Sequence, residues 1–135
     1  MRDEFVLDAS AVLSILLSEP GQDRVNRILD RSRIHAVNLA EVIGRLVRSG
    51  MPANRAAAAV RGLFLEVDEE LGTGQAESCG ILLGTRRDLG LSLGDCLCLT
   101  VAAGLGAVAV TAERRWKQLH GARLGSLTIR VEVIR

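Results

Sequence analysis

Aromatic residues make up only 2% of this 135-residue chain: two Phe, one Trp and no Tyr. A core built on stacked rings is thereby excluded, and Leu, Val, Ile and Ala must supply it. Hydrophobic residues reach 48%, which suffices for a buried core and lies outside the signature of disorder. No apolar run approaches the ~18 residues of a membrane span. The stretch "VLDASAVLSILL" contains Asp8 and lacks a basic segment before it, so no signal peptide is expected and the expected compartment is the cytoplasm. Charge of one sign is lacking too: the formal net charge is +1, so no global field draws the chain to nucleic acid. Lysine is nearly missing, since sixteen of the seventeen cations are Arg and Lys117 is the exception. Arg suits bidentate phosphate contact, but a GC-rich genome also enriches it, and composition leaves both readings open. The three cysteines, Cys79, Cys96 and Cys98, do not form a metal-binding spacing. Their odd number suits reduced thiols in a cytoplasmic protein, and they read as small core residues. The length fits one domain over residues 1–135.

What is present is an alternation of short apolar runs and amphipathic stretches. "EFVLD" reads as a buried strand over 4–8, and "ASAVLSILLSEPG" as a helix apolar nearly all round, stopped by Pro20 and Gly21. A second helix over about 21–32 places Val25, Ile28 and Leu29 on one face, and "RIHAV" reads as the second strand. In "NLAEVIGRLVRSG", Leu39, Val42, Ile43, Leu46 and Val47 recur at helical spacing, with Gly50 at the end. Pro52 opens a further helix, "PANRAAAAVRGLF", before a short strand, "FLEVD". Residues 74–87 and "SLGDCLCLTVAAGLG" read as helices, and "AVAVT" as a strand. The segment "AERRWKQLHG" precedes a last alternating strand, "SLTIRVEVI". Strands alternating with helices predict an α/β fold with a parallel sheet covered on both faces.

Four acids fall where such a fold binds ligands, beyond the carboxyl ends of its strands. Asp8 ends the first strand and is the only charge between Glu4 and Glu19. Glu41 follows the second strand by a helical turn, Asp95 opens the apolar helix after Ser92 and Gly94, and Glu113 comes two residues after Thr111. A buried charge is costly unless compensated. Hard divalent cations such as Mg²⁺ take a few carboxylates, with water and substrate oxygens completing the shell. Each acid also has a plain structural reading. Glu41, three residues after Asn38, resembles a capping-box acid and stands at i,i+4 to Arg45; Asp95 stands three after Ser92 in the same way. Asp8 reads equally as a helix cap and Glu113 as a solvated acid. Capping alone gives no reason for all four to share one rim.

The stretches "VLDASAVLSILLSEPG", "NLAEV", "GLSLGDCLCLTVA" and "VAVTAERRW" resemble the successive motifs of PIN-domain ribonucleases, and most of all the VapC-type toxins of bacterial toxin–antitoxin pairs. The resemblance covers nearly the whole chain. It implies a PIN-like, Rossmann-like three-layer fold on a five-stranded parallel sheet. It also implies a Mg²⁺- or Mn²⁺-dependent endoribonuclease hydrolysing RNA phosphodiesters by metal-activated water. Matched residue by residue, Asp8, Glu41 and Asp95 fall on the family's acidic triad, and Ser10 and Thr111 on its supporting hydroxyls. Glu113 stands at the fourth acidic position, where Asp is usual, and Cys96 where a basic residue often follows the third acid. The expected partners are an RNA substrate, a small VapB-like antitoxin and a second copy of the chain.

Arg114, Arg115 and Lys117, just beyond Glu113, are candidates for RNA phosphates or a solvated basic face. His35 and His120 read as structural, and no histidine base is required. The apolar helices at 9–18 and 52–65, with Leu13, Leu16 and Leu17 in one and Val60, Leu63 and Phe64 in the other, offer a groove for an amphipathic antitoxin helix. Three other readings fit less well. A haloacid-dehalogenase-like aspartyl phosphatase wants a second Asp where Ser10 stands. A receiver-like module wants an acidic pair where Asp8 stands alone. A PIN fold that binds RNA without cleaving it has no use for an intact triad.

Overall fold

The computed structural model describes residues 2–135. Its first strand, β1 (Phe5–Leu7), is fully buried and forms the middle of a five-stranded parallel sheet. On one side of it lie β2 (Ser32–His35) and then β3 (Glu66–Asp68); on the other lie β4 (Val108–Thr111) and then β7 (Val131–Val133). The helices are α1 (Ala9–Leu16), α2 (Gln22–Ile28), α3 (Ala36–Arg48), α4 (Ala53–Arg61), α5 (Thr73–Thr85) and α6 (Leu93–Leu105). A two-stranded hairpin of β5 (Arg123–Leu124) and β6 (Leu127–Thr128) stands outside the main sheet.

Side chains on a strand alternate between faces, and this alternation divides the core in two. Phe5, Leu7, Val108 and Val110 pack with Val12, Val25, Ile28, Val42, Leu46 and Val60 from α1 to α4. Val6 and Ala109 pack on the opposite face with α5 and α6, where the three unpaired cysteines lie buried among Leu82, Leu97 and Leu99. Burial, helped by the charges of nearby acidic groups, pushes the Cys96 thiol up to about 12 and the Cys98 thiol well above its ordinary range, so both behave as small apolar groups. Among the described residues no helix is long and apolar enough to cross a membrane.

Three local readings are corrected. "RIHAV" is not a strand throughout: β2 stops at His35, which caps α3 by accepting Val37 N–H on Nδ1 at 3.1 Å. The helix expected over 21–32 is α to Ile28 and then a 3₁₀ turn over Leu29–Arg31. "SLTIRVEVI" is two strands, because a turn at Gly125 (φ 64°) folds β6 onto β5 before the chain returns to the sheet as β7. A bidentate ion pair holds β7 to α2, with Arg24 donating to Glu132 at 2.6 and 2.8 Å.

Candidate active site

Leu7 pairs with Val110 in the register of β1 and β4, so the next residues on the two strands, Asp8 and Thr111, arrive side by side. Asp8 has extended backbone (φ −80°, ψ 177°) and caps α1, accepting Ala11 N–H on Oδ1 at 2.8 Å. The same oxygen accepts Ser10 Oγ–H at 2.7 Å, and Oδ2 accepts Thr111 Oγ1–H at 2.6 Å. Ser10 Oγ in turn accepts Ala112 N–H at 2.8 Å, and Thr111 Oγ1 accepts Glu113 N–H at 3.0 Å. The two hydroxyls thus lace the end of β1 to the chain leaving β4. The capping role of Asp8 is real, but it leaves the charge without a cation: no ion pair to Asp8 exists among the described residues, and only 3% of it is exposed. Burial raises its carboxyl to about 6, against the opposing pull of the Thr111, Ser10 and Ala11 bonds and with a smaller push from Asp95.

Glu41 lies on α3, whose true cap is His35, so Asn38 sits inside the first turn and not at its start. Freed from capping, the buried Asn38 amide donates from Nδ2 to Glu41 Oε1 at 2.9 Å and to the Gly94 carbonyl at 3.1 Å. One side chain thereby holds Glu41 against the start of α6. Gly94 completes the fit: a Cβ there would fall 2.7 Å from the Glu41 carboxyl carbon. Partial burial, and then the charge of Asp95, raise the Glu41 carboxyl above its usual range. The expected capping box on α6 is present, with Ser92 N–H donating to Asp95 Oδ2 at 2.9 Å and Asp95 N–H to Ser92 Oγ at 3.1 Å. Glu113 is exposed where the chain leaves β4, at the start of the 3₁₀ segment Arg114–Leu119.

All four acids line one open cleft of about 360 Å³, between α1, α3, the start of α6 and the segment after β4. Arg115 lines it as well; Arg114 turns away toward the carbonyl of Arg135, and Lys117 is not part of the wall. Sequence reasoning missed Asn38 as a bridge, Gly94 as the space that admits Glu41, and Arg45 and Arg48, both of which line the cleft. The expected Glu41–Arg45 ion pair does not form among the described residues. Helical spacing from Glu41 was the available signal for both arginines.

Asp8, Glu41 and Asp95 each accept hydrogen bonds from protein donors, and no three His, Cys, Asp or Glu groups among the described residues form a ready-made ligand cluster. The donor set nonetheless fits a hard divalent cation. It is all oxygen, its central carboxylate is buried without a counter-charge, and Oδ1 of Asn38, the residue that holds Glu41, is buried with no partner.

A parallel sheet in this order, with acids from four segments gathered at its carboxyl edge, defines a Rossmann-like α/β domain with an anionic site. The sequence profile of the PIN domain matches residues 5–122, and the chain belongs to that family, whose members are generally nucleases and typically use divalent metals. Comparison with curated proteins gives no match. Among solved structures, the fold is similar to DNA-bound VapBC from Salmonella typhimurium (23% identity, 99% of this chain and 100% of that one, TM-score 0.72). It is similar also to VapBC2 from Rickettsia felis bound to a promoter DNA fragment (14% identity, 97% and 98%, TM-score 0.69). VapBC-1 from nontypeable Haemophilus influenzae aligns at 16% identity over 96% of each chain, with a TM-score of 0.64.

Proposed function

We propose that the protein is a Mg²⁺- or Mn²⁺-dependent endoribonuclease and the toxin of a VapBC-type pair. The observation that carries the reading is the convergence of Asp8, Glu41, Asp95 and Glu113 on one cleft, with the central acid lacking any cation. Asp8, Glu41 and Asp95 would hold the ion, and Glu113, at the mouth, would serve a second ion or orient the attacking water. When bound, the metal supplies positive charge that acidifies water and offsets charge gathering on the phosphate. Ser10 and Thr111 hold both Asp8 oxygens in place, so the ligand is oriented before anything binds. Asn38 does the same for Glu41. The purified chain should cleave RNA with Mg²⁺ or Mn²⁺ and stop when the metal is chelated; cleavage unchanged by thorough chelation rules the mechanism out.

An active ribonuclease needs restraint, and the similarity to VapBC complexes favours a VapB-like antitoxin. Of the residues expected to line a docking groove, Val60 and Phe64 border an apolar groove and those of α1 do not. Leu13 is buried in the core and Leu16 and Leu17 are half-covered, whereas the groove, of about 540 Å³, opens between α3, α4 and β3. Leu39, Ile43, Val60, Phe64 and Val67 line it, and Phe64, 91% exposed at φ 53°, stands at its edge. An exposed ring continuous with an apolar groove forms the kind of patch that marks a protein–protein contact. Self-association remains part of the reading, and sizing of the chain alone and with the product of the reading frame upstream tests both. Co-expression with that product should rescue growth; a chain harmless when induced alone, with no neighbour that binds it, defeats the toxin role while leaving the nuclease.

A further inference from the structure

The cleft holds cations as well as acids, and their arrangement is informative. Arg45 and Arg48 line it from α3, and Arg115 lines it from the segment after β4. All three are exposed, and none makes an ion pair or a side-chain hydrogen bond among the described residues. Five other arginines are ion-paired: Arg24 to Glu132, Arg33 to Glu66, Arg86 to Asp88, Arg130 to Asp3 and Arg135 to Glu19. Arg27, Arg55, Arg61 and Arg87 are also free but lie outside the cleft, so what sets Arg45, Arg48 and Arg115 apart is that they are free beside the acids. Arg45 in particular stands one turn beyond Glu41, in the i,i+4 relation that usually yields a pair. Here the carboxylate is instead taken by Asn38 and leans toward α6.

Position adds to this. β1, which delivers Asp8, lies between β2 and β4 in the sheet. α3 follows β2, and the segment bearing Arg115 follows β4. The free guanidiniums therefore reach the cleft from the two sides of the central acid. At about 1.5 Å rise per residue, Glu41, Arg45 and Arg48 mark points about 6 and 10 Å along one face of α3.

We propose that Arg45 and Arg48 on α3, with Arg115 on the other side of Asp8, are the phosphate-binding residues of the cleft, so that a single-stranded nucleic acid crosses Asp8 and runs along α3. Guanidinium groups left free beside carboxylates suit a ligand that brings its own negative charge in planar, bidentate form, as a phosphodiester does. This rests on the nuclease reading and extends it by assigning the path of the strand. It also transfers the binding role from Arg114 and Lys117, which do not line the cleft, to α3.

The test uses the whole chain and a short fluorescein-labelled single-stranded RNA of mixed sequence. Anisotropy is read in EDTA over a range of salt, and cleavage kinetics separately with Mn²⁺. Arg45→Gln/Arg48→Gln should melt like the parent, both residues being exposed and unpaired. Its plot of log affinity against log salt should be shallower by about 0.7 for each phosphate no longer neutralised. KM should rise roughly tenfold, as expected when charge-assisted bonds are removed, with kcat less affected. Arg55→Gln, an exposed arginine of α4 outside the cleft, should change neither. Arg45→Lys/Arg48→Lys should restore the salt slope while recovering only part of the affinity. If the parent cleaves RNA but Arg45→Gln/Arg48→Gln keeps its salt slope and KM, the path along α3 is wrong and the nuclease reading stands. A variant that binds RNA normally but loses a co-purifying protein assigns these residues to a protein interface and likewise overturns the proposal. A parent that neither binds nor cleaves RNA removes the nuclease reading itself.

Discussion

Asp8→Asn separates the catalytic demand on the site from the needs of the fold. In the parent, Asp8 keeps its proton to about pH 6 when folded but only to 3.8 when unfolded. Below 3.8 both states are protonated and the residue has no electrostatic effect on stability. Between 3.8 and about 6 the folded chain binds more protons than the unfolded one, so stability falls as pH rises, by about 1.4 kcal/mol per pH unit. Above 6 the whole penalty is present, about 3 kcal/mol. Asparagine at this position carries no charge and avoids it.

The hydrogen bonds survive the exchange. Oδ1 of the amide can still accept Ser10 Oγ–H and Ala11 N–H, and Asn caps helices as well as Asp does. Nδ2 would face Thr111 Oγ1, which already accepts Glu113 N–H and has a second lone pair for the amide. The Thr111 proton can then turn to Ser10 Oγ, 3.3 Å away. In EDTA at pH 8 the variant should therefore be more stable than the parent by about 2–3 kcal/mol, roughly 6–10 °C in melting temperature for a chain of this size. The advantage should shrink toward pH 4, while cleavage with Mg²⁺ or Mn²⁺ falls by orders of magnitude. Urea titrations of both chains at several pH values give the difference directly, since other carboxylates cancel. A variant less stable than the parent at pH 8, or an advantage that does not vary with pH, refutes the account of Asp8 as an uncompensated buried charge.

Gly94→Ala should push the Glu41 carboxylate out of its seat and reduce cleavage at least tenfold, yet leave the melting temperature equal or higher, because Ala is favoured over Gly by up to about 1 kcal/mol in a helix; a normal cleavage rate would show that Glu41 is not needed where it lies. Added Mg²⁺ or Mn²⁺ should raise the melting temperature of the parent, by about 2.7 kcal/mol of stability at a hundredfold excess over Kd, and leave Asp8→Asn nearly unmoved; equal shifts in both chains would place the ion elsewhere. Glu41→Gln should melt normally without metal and cleave poorly, and full activity would return Glu41 to a structural role. Gly21→Ala should cost about 2–4 kcal/mol, because φ is +99° and a Cβ would lie 2.7 Å from Ile134, so a chain that melts unchanged would refute the packing of β7 on α2.

The first four strands were legible because each stands between helical segments, β1 and β4 as short apolar runs and β2 and β3 around a single apolar residue each, and the acids because a lone charge beside an apolar run has few uses. Two elements were not legible, for different reasons. From Leu127 to Val133 the period-two pattern continues unbroken, but period two says only that side chains alternate, not which strand is the partner. The change of partner is made by the backbone, through the turn at Gly125 and the bonds that tie Ile129 to Gly121 and Ala122. The start of α3 was misplaced because Asn is a preferred cap and His is not. Here the imidazole of His35 is locked by Val37 N–H on one nitrogen and the Glu70 carbonyl on the other, at 2.7 Å, a bond from a distant loop that local propensity cannot contain.

That displaced cap bears on the chemistry. Were Asn38 the cap of α3, its side chain would be spent on the helix's own N–H groups, and Glu41 would close the box behind it. With His35 in that role, Asn38 is buried one turn further in, where its amide reaches both Glu41 and the first turn of α6. Two helices from opposite faces of the sheet are thereby joined at the rim, and the acids they bring, Glu41 and Asp95, are held near enough for the charge of Asp95 to help raise the Glu41 carboxyl. Ser10 and Thr111 perform the same task between β1 and β4 for Asp8. The polar network thus works against electrostatic preference, keeping like charges together at a cost to the stability of the fold. A structure bears such a cost where something that binds there repays it, and in an all-oxygen cleft with free guanidiniums on either side, a cation and a phosphodiester are the two ligands whose charges answer it.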